Sequence, residues 1–264
     1  MAPKPRSDDV LAGLGPVEAA DFYRRLALHI QKRRSDSLAA AMLLHWLDGK
    51  RSSFRFDARY VKDLPLVVEH LRNEVRPVLL TEKKARLKGG ERWAGVLPRI
   101  KGIPPHPIWD GRTGFTIHYE GPSVSIPLTV QAKARVGLAD PAELDLLMSL
   151  HTFGLRTQVL MSAVRAASSQ QHNVTFEVWE TRAFDNYNWD PTKHLVVPNP
   201  DFRNPFGVPT PVAPTEETVR VYHSNARRVE DKGLAAPYDA ESYAWTVADP
   251  RISGPAVVDA GRAI

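Results

Sequence analysis

Residues 155–166, LRTQVLMSAVRA, and residues 173–184, NVTFEVWETRAF, decide the fold. By pattern alone the first run is ambiguous, since it can prolong the helix ahead of it. Gly154 and the second run, which makes a natural partner, favour two strands joined through ASSQQHN (167–173). The hairpin reading delivers its second strand directly into Asp185.

Upstream, DPAELDLLMSLHTFG (140–154) has a capping Asp140, Pro141 in the first turn, leucines at helical spacing and Gly154 as its stop. Further back, GFTIHYEG (114–121) and SVSIPLTVQAKARVG (123–137) alternate as strands, Pro127 placing part of the second at an edge or bulge. The N-terminal third has a different texture. Pro16 opens a helix with Ala20, Tyr23, Ala27 and Ile30 on one face. Ser37 caps a second, LAAAMLLHWLDG, which Gly49 ends and whose apolar surface calls for burial. Val67, Leu71 and Val75 mark a third, ended by Pro77, and EKKARLKGGER (82–92) reads as an exposed loop or helix end. Past the Pro-rich 197–215 loop, TVRVYH gives a strand, SNARRVEDKG a short helix and YDAESYAWTV a final aromatic segment.

These readings predict an α+β protein: a flexible tail over 1–15, a helical part over 16–95, and a mostly β part over 96–264 that is one continuous domain with the helices or a second one. The sheet is expected to be antiparallel, twisted or an open barrel, with one or two accessory helices. At 264 residues the chain can bury a sizeable core, and 43% hydrophobic with 25% charged residues excludes wholesale disorder. A net charge of +5, from 35 basic and 30 acidic residues, is too small to indicate nucleic acid. The absence of cysteine removes disulfides, thiolate metal sites and Cys nucleophiles. No signal peptide and no run of about 18 apolar residues is expected, hence no transmembrane segment.

The sequence has no Gly-rich phosphate loop, Gly-x-Ser-x-Gly elbow, His-Glu-x-x-His helix or dinucleotide fingerprint. His45, in an apolar helix, reads as a core residue, and His151 as a helix-end residue. One stretch stands apart: FDNYNWDPTKHLVVPNPDF (184–202). Asp185 and Asp190 can bind a hard cation or act as base, Tyr187 can orient or donate, and His194 titrates near neutrality. A half-buried turn between strands explains the same residues. VYHSNARRVEDKGLAAPYD (221–239) adds His223, Asn225, Arg227, Arg228 and Asp231.

Asp185-x-Tyr187, then six residues, then His194 resembles the signature of colicin M-type bacteriocins. That resemblance implies an open β-barrel and Mg²⁺-dependent hydrolysis of the lipid II pyrophosphate linkage. Asp185 would be the catalytic or metal-binding carboxylate, with Asp190 beside it, Tyr187 its positioning partner and His194 the general base. Apart from the resemblance, Arg182, Lys193 or Arg203 can supply positive charge for a substrate, and Arg227 or Arg228, with His223 near by, can grip a phosphate if the strand ending at Tyr222 lies beside the one ending at Phe184. Asn188 stands where the family has a second Asp, and Leu195 where it has an Arg. The longer pattern of AAAMLLHWLDG, VPNPDF and VYHSNARRVEDKGLAAPYD is similar to an uncharacterised bacterial family found beside type VI secretion genes. Together the resemblances imply an antibacterial effector, made in the cytoplasm without a signal peptide and acting in the target-cell periplasm. A secretion-apparatus component and a cognate immunity protein would be its partners. The alternative is a non-enzymatic adaptor, immunity or structural protein of such a cluster.

Overall fold

The computed structural model describes residues 9–80, 84–87, 90–93, 113–135, 141–165, 171–189, 194–201 and 218–259. The protein is α+β, with its helices concentrated before a large sheet. Along the chain the helices are α1 (Pro16–Arg33), α2 (Leu38–Leu47), α3 (Pro65–His70), α4 (Arg76–Leu80), α5 (Leu128–Arg135), α6 (Pro141–Ser149), α7 (His223–Asp231) and α8 (Pro250–Ser253). The strands are β1 (Phe54–Phe56), β2 (Lys84–Leu87), β3 (Gly90–Trp93), β4 (Thr113–Glu120), β5 (Val124–Ser125), β6 (Thr152–Arg165), β7 (Gln171–Tyr187), β8 (His194–Pro198), β9 (Thr218–Tyr222), β10 (Tyr238–Ser242), β11 (Trp245–Thr246) and β12 (Ala256–Asp259).

Two compact units are each assembled from three separate stretches. One comprises Met1–Phe54, Ser125–His151 and Asp185–Ala240, and the other Arg55–Val124, Thr152–Phe184 and Glu241–Ile264. The second unit holds the hairpin that the sequence predicts. Its sheet runs in the order β1, β10, β7, β6, β4, with β11 and β12 also pairing with β7. The β6–β7 register runs from Gly154 opposite Phe184 to Arg165 opposite His172.

The register slips once. Leu160 faces Val178 and Met161 faces Phe176, so Glu177 is the extra residue of a β-bulge. Before the bulge the even-numbered residues His172, Val174 and Phe176 are buried; after it the odd-numbered Trp179, Thr181 and Ala183 are. The partner strand keeps one phase, burying Leu155, Val159, Met161 and Ala163. Ser162 Oγ donates to the Glu177 carboxylate, pinning the bulged residue. Because side chains alternate with period two, this one insertion decides which face carries Asp185 and Tyr187.

Gly154 is required by close packing: a Cβ there would strike the Phe184 ring directly opposite, and the Arg156 guanidinium lies 3.8 Å over that ring's centre. Gly154→Ala is expected to cost about 1–3 kcal/mol through forced displacement of the ring, read as a lower urea midpoint with an unchanged slope.

The first unit packs α1 against α2 and α7, and α2 against α6. On α1 the apolar stripe buries Ala19, Phe22, Tyr23 and Leu26, and α2 buries residues on most of its surface, as its composition requires. Ser37 caps α2 by accepting from Ala40 N–H at 3.0 Å, and Gly49 beyond it has φ 66°, the left-handed turn a glycine allows. Tyr23, Trp46, Trp189, Tyr187 and Tyr238 form a chain of ring contacts with successive centroids 5.0–5.9 Å apart. Residues 9–15, expected in the tail, are held: Leu11 is fully buried, and Asn225 donates to the Asp9 carboxylate at 2.9 Å. Residues 1–8 and the Asp140 cap lie outside the described residues.

Several local expectations are corrected. Residues 128–135 are the helix α5, not a strand; Pro127 precedes its first turn, where a missing N–H costs nothing. Lys84–Leu87 and Gly90–Trp93 pair as the antiparallel strands β2 and β3, where a loop or helix end was expected. Helix α6 stops at Ser149, and the chain is already extended from Thr152, before Gly154. Pro77 does not end the third helix: a π-turn over Leu71–Val75 leads directly into α4, which contains it.

Candidate functional site

The end of β7 lies in the first unit and carries Asp185, Asn186 and Tyr187. Alternation puts Asp185 and Tyr187 on the buried face and Asn186 on the open one. Tyr187 is buried and stacks on Tyr238, centroids 5.0 Å apart with the rings 20° from parallel. Tyr238 donates its hydroxyl proton to the Met42 carbonyl at 2.7 Å.

Asp185 is half-buried. Burial pushes its carboxyl up to about 7, against the opposing hydrogen bond it accepts from the Asn186 backbone N–H at 2.8 Å. Burial raises both tyrosines well above the ordinary phenol range. The negative charge of Asp185 adds to that rise for Tyr187, and Tyr187 followed by Asp185 adds to it for Tyr238. Both phenols are thus held neutral, with the Tyr238 hydroxyl committed to Met42.

Asn186, Asn188, Tyr238 and Asp239 border an open cleft of about 700 Å³, with Arg51 and Arg227 also lining it. The amides form a chain, Asn188 Nδ2 donating to Asn186 Oδ1 and Asn186 Nδ2 to Asp239 Oδ1 at 2.9 Å. Arg51 holds the left-handed φ of 47°, a backbone state that costs an arginine energy and that functional sites often retain. Arg227 donates to Glu230 Oε2 at 2.6 Å, and Glu230 Oε1 accepts from Trp46 Nε1 at 2.8 Å.

The residues expected from sequence are distributed as follows. Asp185, Tyr187 and Arg227 come to this region, Arg227 in the cleft wall itself. His194 opens β8 opposite Tyr222, with ring centroids 5.3 Å apart, and does not line the cleft. His223 opens α7 with its ring edge-on to Trp189 at 4.8 Å, and Trp189 lines the cleft. Arg182 belongs to the second unit, where it lies on the exposed face of β7 and is 3.9 Å from Glu241. Asp190, Lys193 and Arg203 lie outside the described residues. Leu195 lines an apolar pocket with Leu26, Leu43, Val197 and Val221, so the position where an arginine was looked for is part of the hydrophobic packing.

Sequence reasoning missed Arg51, Asn186, Tyr238 and Asp239. Tyr238 and Asp239 ended a stretch already singled out, but Arg51 after the α2 stop gave no signal beyond an ordinary surface charge. Among the described residues no group of three or more His, Cys, Asp or Glu is placed to hold a metal ion. Asp185 and Asp239 offer carboxylate oxygens in this region, and Asp190, the second ligand expected for Mg²⁺, lies outside the described residues. Scans against protein-family models, curated proteins and solved structures found no match to this chain.

Proposed function

We propose that this chain is an antibacterial effector that hydrolyses a lipid-linked pyrophosphate precursor of the cell wall, lipid II being the substrate its colicin M-like motif points to. The carrying observation is the convergence, at the end of β7, of a half-buried carboxyl, two neutral phenols and a cleft walled by arginine. Above about pH 7 the Asp185 carboxylate takes a proton from a water molecule as its oxygen attacks phosphorus, and the bond from phosphorus to the leaving oxygen breaks. Arg227 offsets charge on the phosphate oxygens, while Tyr187 and Tyr238 keep the carboxyl in a poorly solvated setting. The base is assigned to Asp185 rather than His194 because Asp185 directly precedes the cleft residue Asn186 on β7, while His194 lies on β8 against Tyr222; neither is itself in the cleft lining. No step is routed through Mg²⁺. Among the described residues no helix is long and apolar enough to cross a membrane; the proposal places contact with the lipid-linked substrate at the membrane surface. Delivery by a type VI apparatus and neutralisation by an immunity protein belong to the same proposal.

Expression in a bacterial periplasm and, separately, in the cytoplasm tests it. Lysis is expected only from the periplasmic form, and Asp185→Ala is expected to be harmless while remaining folded by circular dichroism. A wild-type chain harmless in both compartments overturns the reading.

A further inference from the structure

We infer that the cleft of the first unit contains an oxyanion subsite whose donors are Arg51 and Arg227, with Glu230 positioning Arg227 and Asp239 limiting the charge the subsite accepts. The inference deepens the hydrolase reading and rests on it for the identity of the anion as the pyrophosphate of the substrate; the binding itself can be measured without turnover.

The wall's hydrogen-bonding capacity carries the inference. A guanidinium has five N–H donors and no acceptor. Arg51 lines the cleft, and among the described residues its side chain has no hydrogen-bond or ion-pair partner, so its N–H donors are unspent. Arg227 gives one N–H to Glu230 and keeps the rest. Two of the acceptors nearby are engaged, Asn186 Oδ1 by Asn188 and Asp239 Oδ1 by Asn186, which leaves Asp239 Oδ2 and Asn188 Oδ1 against the N–H groups of two guanidinium forks. A ligand entering this wall therefore meets donors in excess and must itself be rich in acceptors, which describes a phosphate or pyrophosphate group.

Glu230 gives the subsite its rigidity. Its side chain is only 6% exposed and bridges two donors, Arg227 on one oxygen and the Trp46 indole on the other. The long Arg227 side chain is thereby tied to the buried aromatic core and loses less freedom when a ligand arrives. Asp239 works in the opposite sense. It is exposed at the cleft wall, and its negative charge weakens binding of any anion there.

Titration calorimetry of the full chain with sodium pyrophosphate, at fixed ionic strength and pH 8, tests the subsite. Wild type is expected to bind with a dissociation constant of about 0.1–1 mM, weakening as salt is raised. Arg51→Ala is expected to weaken binding about tenfold, and the Arg51→Ala, Arg227→Ala double variant to abolish it. Glu230→Gln, which keeps an acceptor for Trp46, is expected to weaken pyrophosphate about threefold without lowering the melting temperature, and Asp239→Asn to tighten it about threefold. Asp185→Asn removes a negative charge at pH 8 and is expected to bind pyrophosphate at least as tightly as wild type, so loss of turnover in that variant tests the hydrolase and not the subsite. Absence of pyrophosphate binding to wild type, or binding retained by the double variant, overturns the subsite. Unchanged affinity in Glu230→Gln or Asp239→Asn overturns the role given to that residue.

Discussion

Asp185→Asn is expected to cost at least about 100-fold in turnover, the low end of what a positioned general base contributes, while making the fold more stable at pH 8. The two effects have one cause. Burial raises the carboxyl from 3.8 to about 7, so between those values the native chain holds a proton that the unfolded chain has released. More protons bound to the native state means that stability falls as pH rises from about 4 to about 7, and is flat beyond. Full shielding would set the loss at about 4 kcal/mol; water reaching a half-buried side chain brings it to on the order of 2 kcal/mol. The amide cannot ionise, so the variant should lack that fall. In wild type, log kcat/KM should rise with unit slope towards pH 7 and level off above it. Chemical denaturation at pH 4.5 and 8 together with a pH–rate profile checks both halves. Equal pH dependence of stability in the two proteins would remove Asp185 as the titrating group.

The largest expected loss of stability comes from Asp145→Ala, at about 3–5 kcal/mol. Asp145 sits on α6 with 5% of its surface exposed, and its carboxylate closes the start of α2. It accepts the Ser37 hydroxyl and the backbone N–H groups of Leu38 at 3.2 Å and Ala39 at 3.0 Å, with Arg34 at 4.0 Å. These are N–H groups that no helical carbonyl can serve, at the positive end of the helix dipole. Alanine leaves them buried without an acceptor and removes the tie between two helices. Asp145→Asn keeps one acceptor oxygen but turns an N–H₂ towards other donors, and should lose about half as much. Urea denaturation measures both, and a loss below 1 kcal/mol for the alanine variant would show that α2 holds its N-terminus without this carboxylate.

The central hairpin was legible because two runs of strand formers follow Gly154, although the glycine lies inside the first strand and the helix has already ended at Ser149. The Ser37 cap and the Gly49 stop were legible because both act on their immediate neighbours. Helix α5 was not: PLTVQAKAR suits alternation as well as helical spacing, and its packing on α6 decides between them. Nor was the role of Asp145, since its partners lie more than a hundred residues earlier. At the candidate site, Asp185 and Tyr187 stood out by composition. Arg51 and Asp239 come from opposite ends of the chain, and their shared cleft exists only once α2 and β10 have folded.

Glu177 divides β7 into two lengths that carry their pattern independently. Deleting Glu177 would join them into one uninterrupted zigzag and turn over whichever half was less firmly anchored. Were the downstream half to turn, Asp185 would move to the solvent side and Asn186 to the protein side, exchanging a poised carboxyl for an ordinary one without altering any residue near it. The ionisation behaviour of this carboxyl is thus an arithmetic property of the strand, set by counting residues eight positions upstream.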